Sequence, residues 1–339
     1  MCLVGPMVGR NHGFVTTQGE ILSDYFIKAG YQVISVSSVA NRYARLLHII
    51  ITLLRDRSRI DLVMLQTFGG PSFIVEDIAS AIVKLVRKKV ILHLRGGAMP
   101  EFTARFPKWT LRVLSRADMI VVPSNYLARL VQDLGFRNVV IPNVIDIKRY
   151  NFKLRKQLRP RLFWMRSFHP IYNPMMAIRT LAKLRLTFPD ANLVMGGQDK
   201  DGHESNVRRL VKEFELGDFV RFVGFMDLEM KLREGKAADI FINTNSVDNT
   251  PVSVIEACAM GLPVVSTDVG GIPDLLTEGE TALLVPVDDH EAMSQALIKL
   301  LTDQSLAERL SANGRRLAET CSWNSVLPQW GKLISEILN

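Results

Sequence analysis

At 339 residues the chain exceeds what one hydrophobic core ordinarily supports, so two domains are expected. A composition 47% hydrophobic and 22% charged excludes an intrinsically disordered chain. The net charge of +8 sits in the N-terminal half: residues 1–148 carry 19 basic and 10 acidic side chains, residues 149–339 carry 23 and 24.

Short apolar, β-branched runs alternate with amphipathic stretches from the first residues onward. Strands are predicted at Cys2–Gly5, Gln32–Val36, Asp61–Leu65, Val90–Leu94, Met119–Val122 and Val139–Ile141. Helices are predicted between them at Thr17–Ala29, Val39–Leu54, Phe73–Lys88 and Asn125–Leu134. A polar, basic stretch from Lys148 to Arg161 lacks apolar periodicity and reads as a linker. The alternation then restarts with strands Leu162–Met165, Asn192–Met195, Val220–Val223, Ile240–Asn243, Val264–Ser266 and Leu283–Val285. Its helices are predicted at Pro174–Leu186, His203–Phe214, Pro251–Met260, Asp289–Leu301 and Leu306–Glu319. Such alternation predicts an α/β fold: two Rossmann-like, doubly wound domains facing across a cleft, at residues 1–148 and 149–324.

The opening Met1–Pro6 has no basic region followed by an apolar stretch and a cleavage site, and reads as a first buried strand. Cys2, Cys258 and Cys321 are odd in number, widely separated and without metal-ligand spacing. A cytoplasmic location, without disulfides or a bound metal, is the expectation.

The stretch from Asn243 to Asp274 is the densest in chemistry. Asn249-Thr250-Pro251 reads as a helix start, with Thr250 as N-cap and Pro251 in the first turn; Gly261 follows the helix. Free amides at such a helix start suit a phosphate. Glu256 lies further in, among apolar residues, where its carboxylate needs donors such as the paired hydroxyls of a ribose. Local features alone fit an ordinary βα turn equally well. Gly270-Gly271 after the next strand makes a second such corner.

These residues resemble the GT-B retaining glycosyltransferases of family 4. Asp248 and Glu256 look like the family's E-x7-E acidic pair. Gly261-Leu262-Pro263-Val264-Val265 and Gly270-Gly271-Ile272-Pro273-Asp274 resemble the segments that follow it. Ile141-Pro142-Asn143-Val144-Ile145-Asp146 is similar to the inter-domain signature, and Gly5-Pro6 through Gly9 to Gly13 resembles the N-terminal glycine loop.

The resemblance implies transfer of a sugar from a nucleotide-diphosphate donor to an acceptor hydroxyl, with retention, in polysaccharide or glycolipid biosynthesis. By position, Glu256 would hold the ribose, Asp248 would face the donor sugar and Arg166 would grip the diphosphate. Asn249, Thr250, Pro251, Val252 and Ser253 would line the phosphates with Gly270 and Gly271. Gly196, Gly197, Val223 and Gly224 would line the base. On the acceptor and sugar side fall Gly9, Gly13, His93, Arg95 and Gly96, with Arg95 nearer the strand end than His93. A C-terminal helix at about 325–339 would pack back on the first domain.

Two departures stand out. Ile171 occupies the place of the family's usual lysine, with only His169 nearby as a replacement cation, and the first acid is Asp248 rather than glutamate. A non-catalytic nucleotide-sugar-binding scaffold and a nucleotide-sugar epimerase of the same fold therefore stay open.

Partners expected are a nucleotide-diphosphate sugar, a lipid-linked or saccharide acceptor, and an anionic membrane surface on its inner face. Val39–Leu54 places Tyr43, Leu46, Leu47, Ile50 and Leu54 on one face beside Arg42 and Arg45, with Ile49 and Leu53 widening it. It suits either a core helix or an interfacial one. Lys108, Arg112 and Arg116, spaced by four, form a second basic face. No recognition motif accompanies these charges, which argues against nucleic acid. No metal or other cofactor is expected beyond the nucleotide-sugar substrate.

Overall fold

The computed structural model describes residues 1–9, 16–199 and 201–339. Its contacts divide the chain into two compact units, Met1–Val144 with Trp323–Asn339, and Ile145–Ser322.

The first unit contains β1 (Cys2–Val4), β2 (Ile34–Val36), β3 (Leu62–Thr67), β4 (Lys89–Leu94), β5 (Met119–Val122) and β6 (Asn138–Val140), in spatial order β2-β1-β3-β4-β5-β6. The second contains β7 (Arg161–Met165), β8 (Asn192–Gly196), β9 (Val220–Phe222), β10 (Ile240–Asn243), β11 (Val264–Thr267) and β12 (Ala282–Val285), in order β12-β11-β10-β7-β8-β9. Every pairing within both sheets is parallel.

Alternation along the strands explains why both faces are covered. Val63, Leu65, Val90 and Leu92 enter one apolar cluster, while Leu3, Met64, Ile91 and Val121 enter the other. The second cluster is closed by Val326, Trp330, Leu333 and Ile334 of the C-terminal helix Trp323–Leu338. Each such side chain, once buried, contributes roughly 1.5–3 kcal/mol, which ties this helix to the first unit.

Three local expectations are corrected. The linker is not a solvated tether: Arg155 is 2% exposed, and Tyr150 is buried as well. The helix Arg42–Arg55 buries Ile49, Thr52 and Leu53 and leaves Tyr43, Leu47, Ile51 and Leu54 exposed. Both sides of it are apolar, and the core takes the side of Ile49 and Leu53. Arg112 and Arg116 are not a free basic face either. Both pair with Asp77, which also accepts from Trp109 Nε1 at 2.7 Å. Burial alone would raise the Asp77 carboxyl, but its bonds to Arg116, Trp109 and Arg112 outweigh that and hold it below its ordinary value.

The helix Pro107–Leu114, which carries Trp109 and Arg112, was foreshadowed only by the spacing of Lys108, Arg112 and Arg116; Met99–Arg105 before it and a further helix at Leu228–Ala237 were not anticipated from sequence. The last of these carries a charged residue of the candidate site.

Candidate functional site

In the second unit the chain moves outward from β7 through β8 to β9, then returns to the other side of β7 as β10. Neighbouring strands at such a reversal send their following loops apart, leaving a crevice at their carboxyl ends. Arg166 follows β7 and the Asn245–Asp248 loop follows β10. The reversal therefore places a cation and an acid together from positions 82 apart in sequence.

Arg166 Nη2 is ion-paired with Asp248 Oδ2, and its guanidinium stacks 4.5 Å over the Tyr172 ring. Arg166 Nε is buried with no hydrogen-bond partner among the described residues. Burial depresses the Arg166 pKa, while the negative charge of nearby groups, Glu256 among them, opposes that shift. Asp248 is held from three sides: by Arg166, by Asn245 Nδ2 at 2.6 Å, and by the Asn249 amide at 2.7 Å.

The next helix, Val252–Ala259, starts one residue later than expected. Pro251, with extended dihedrals, occupies the N-cap position in place of Thr250, and no side chain caps the helix. A proline has neither a side-chain acceptor nor an amide to offer, so the first-turn donors of Val252 and Ser253 are left for another group. Ser253 Oγ and Asn245 Oδ1 are likewise buried without partners among the described residues. Orphaned polar atoms converging on an uncapped helix start are what an absent anionic ligand would satisfy.

Two glycines set the wall opposite. A Cβ on Gly270 would lie 2.1 Å from Asp248 O, and one on Gly271 would lie 2.3 Å from Asn249 O. Only glycine lets this turn close against the acid loop, where the Gly271 amide donates to Asp248 O at 3.2 Å. The helix that follows, Ile272–Leu275, is a single turn, shorter than the second corner anticipated from sequence.

Glu256 is buried, and its two oxygens are held unequally. Its Oε1 accepts from Tyr150 Oη at 2.8 Å, and Lys231 Nζ lies 3.0 Å from both carboxylate oxygens. Burial first, then the neighbouring Glu256 charge, pushes the Tyr150 phenol far above its ordinary value, so it stays a donor. Neither partner was anticipated. Lys231 lies on the unforeseen helix Leu228–Ala237, whose one sequence signal is Asp227, the N-cap accepting from the Met230 amide at 2.8 Å. His169, the nearby replacement cation considered from sequence, turns instead toward Asp201 at 3.6 Å.

Gly196, Gly197, Val223 and Gly224 do come together. The Gly197 amide donates to Gly224 O at 2.8 Å, and the Arg166 amide donates to Gly196 O at 3.1 Å. A Cβ on Gly196 would meet Met226 Sδ at 2.1 Å, and one on Gly197 would meet Arg166 O at 1.7 Å.

The first unit holds the remaining candidates. The Gly9 amide donates to Glu20 Oε1 at 2.8 Å, whereas Gly13 lies outside the described residues. Gly96 approaches the Gly69 amide, from which an added Cβ would be 3.4 Å away. His93 is 1% exposed and packs on Trp330 with ring centroids 5.2 Å apart, so it faces the core rather than solvent. Arg95 extends past the end of β4 and is partly exposed.

Two parallel six-stranded sheets, each with its loops at the carboxyl ends, constitute the GT-B glycosyltransferase fold. The chain superimposes on sucrose-phosphate synthase of Thermosynechococcus elongatus with a TM-score of 0.80 at 18% identity, covering 99% of this chain and 98% of that one. It superimposes on Anabaena HepE in complex with UDP and glucose with a TM-score of 0.76 at 15% identity, covering 98% of each. Residues 146–317 match the glycosyl transferases group 1 family, and residues 16–149 match glycosyltransferase family 4. The chain belongs to the glycosyl transferases group 1 family.

Among curated relatives, a phosphatidyl-myo-inositol mannosyltransferase of Mycolicibacterium smegmatis is 28% identical over 205 residues, covering 59% of this chain and 52% of that protein. The lipopolysaccharide core biosynthesis mannosyltransferase LpsB of Rhizobium meliloti is 28% identical over 269 residues, covering 75% of this chain and 74% of that protein. The chain spans about half the length of the first curated relatives it matches.

Proposed function

We propose that the chain transfers a sugar from a nucleotide-diphosphate donor to a hydroxyl of a glycolipid or saccharide acceptor, with retention at the anomeric carbon. The observation that carries this reading is the conjunction at the β7–β10 reversal: Arg166 with an unsatisfied Nε, beside the uncapped start of the helix Val252–Ala259. As the bond from the anomeric carbon to the diphosphate breaks, negative charge accumulates on the leaving phosphate. A guanidinium and helix amides already in place stabilise it without reorganising. Donor binding, before the bond breaks, draws Asp248 from Arg166 to hydroxyls of the donor sugar. Glu256 accepts from the ribose hydroxyls within its cage of Tyr150 and Lys231. Relatives named as mannosyltransferases of phosphatidyl-myo-inositol and of lipopolysaccharide core support a glycolipid or saccharide acceptor.

Thermal melting with UDP, GDP and ADP in metal-free buffer tests the donor half. One nucleotide at a hundred times its dissociation constant is expected to stabilise the protein by about 2.7 kcal/mol, and Glu256→Ala to abolish that response. Stabilisation by none of them removes the donor-site assignment. Product analysis without acceptor separates transfer from epimerisation.

We further infer contact with an anionic membrane surface through the helix Arg42–Arg55. Among the described residues no helix is long and apolar enough to cross a membrane. This one instead exposes Tyr43 at 70%, Leu47 at 58% and Ile51 at 48%, with Arg55 and Arg59 side chains exposed at its end. Apolar surface flanked by arginines suits the boundary between headgroups and acyl chains. Leu47→Glu with Ile51→Glu is expected to reduce binding to phosphatidylglycerol vesicles at least about tenfold in sedimentation, leaving melting unchanged. Equal sedimentation of variant and wild type would refute the contact.

A further inference from the structure

We propose that Arg95 reads a negatively charged group, a carboxylate or a phosphate, on the sugar or acceptor that the enzyme uses; this rests on the transferase reading above.

The guanidinium is held by neutral groups only. Nε donates to Gln66 Oε1 at 2.9 Å, Nη1 donates to Asn143 Oδ1, and Nη2 lies 3.2 Å from His93 Nδ1. No carboxylate pairs with it among the described residues. Other enclosed arginines of the chain face a carboxylate: Arg166 pairs with Asp248 and Arg116 with Asp77. Arg95, unlike these two, has only neutral partners among the described residues.

The cage is also rigid. Gln66 is 4% exposed and wedged under Gly5, where an added Cβ would come within 2.9 Å of it. His93 is fixed against Trp330, and burial together with the Arg95 charge holds its imidazole neutral. Accepting from Arg95 at Nδ1 puts the single ring proton on Nε2. The three contacts employ three of the five guanidinium N–H groups, leaving two for a ligand. Gln66 Nε2 is a further buried donor with no partner among the described residues, carried on the amide that grips Arg95. A neutral hydroxyl would leave the charge as it stands; an oxyanion neutralises it and takes two parallel donors. Burial pulls the Arg95 pKa down to about 9, so the group remains a cation at neutral pH.

The test is calorimetric titration of the full chain at low salt with methyl glucuronoside and with glycerol 3-phosphate. Methyl glucoside and glycerol serve as the neutral counterparts. Saturable binding of at least one anion is expected, with none by its neutral counterpart. Arg95→Met should weaken that binding at least about tenfold, and Arg95→Lys should fall between. Binding of the glucuronoside alone assigns the charge to an acidic sugar, and of glycerol 3-phosphate alone to a phosphate-bearing acceptor. Silence from both anions, equal affinity for charged and neutral probes, or unchanged binding in Arg95→Met overturns the proposal. Asn143→Ala, which keeps the cation and loosens its cage, carries the same test if Arg95→Met does not fold. Melting with UDP, GDP and ADP alongside separates the two readings: anion binding without nucleotide stabilisation keeps Arg95 and sinks the transferase.

Discussion

Arg166→Met is expected to lower kcat by about 10²–10³, equivalent to about 2.7–4 kcal/mol of transition-state stabilisation. Methionine keeps an unbranched apolar chain of similar length but removes the guanidinium stacked on Tyr172 and every donor it would offer the leaving diphosphate. Because the diphosphate gains further negative charge as the bond breaks, the loss should fall on kcat more than on KM. Asp248 would keep the Asn245 amide and the Asn249 N–H as donors, so the loop should hold its shape and the melting temperature should change little. Steady-state kinetics with the stabilising nucleotide's sugar decides the matter. A variant within threefold of wild type would remove Arg166 from the chemistry.

The largest stability effect is expected at Arg155. Its Nη1 donates to Met260 O at 2.5 Å and to Lys153 O at 3.1 Å; Nη2 donates to Gly235 O at 2.7 Å and to Ala238 O at 3.2 Å. Gly235 and Ala238 lie at the end of the helix Leu228–Ala237, and Met260 follows Val252–Ala259. One buried cation thus satisfies the terminal carbonyls of two helices and meets the negative ends of both dipoles. Arg155→Leu removes the guanidinium donors from the Gly235 and Ala238 carbonyls, at about 1–3 kcal/mol each, and leaves Met260 O only the Lys153 amide at 3.3 Å. A loss of at least about 3 kcal/mol is expected, read as a lower urea midpoint with an unchanged slope. Arg155→Lys should recover part of it, since one ammonium cannot reach as many acceptors. A loss below about 1 kcal/mol would show that water replaces the guanidinium.

The strands were legible because parallel strands buried on both faces read as continuous β-branched runs, bounded by glycine, proline and charge. Arg166, Asp248 and Glu256 were legible as residues at or near strand ends and a helix start. Their partners were not. Pairing Arg166 with Asp248 depends on β10 lying beside β7, a sheet order that local pattern does not encode. Lys231 was missed because Leu228, Met230 and Leu232 alternate, a strand-like spacing inside a helix that packs these residues on the core. Tyr150 sat in a stretch read as polar and basic, where neighbouring charges hid one buried ring. In the helix Arg42–Arg55, apolar residues on both sides left the buried face undecided until the sheet supplied its neighbours.

The Ile145 amide donates to Cys321 O at 3.0 Å, and Ile145 bridges to Ser322 as a parallel pair. Residues 145 and 322 open and close the second unit, so that unit begins and ends at one spot. In topological terms it is a loop inserted between Val144 and Trp323, and the first unit is the interrupted host. An insert with adjoining ends asks little extra closure entropy of its host, however long it grows. The chain can therefore be cut into one continuous segment and one that must be rejoined: 145–322 is a single excisable cassette, while the host needs a splice to bring its last helix home.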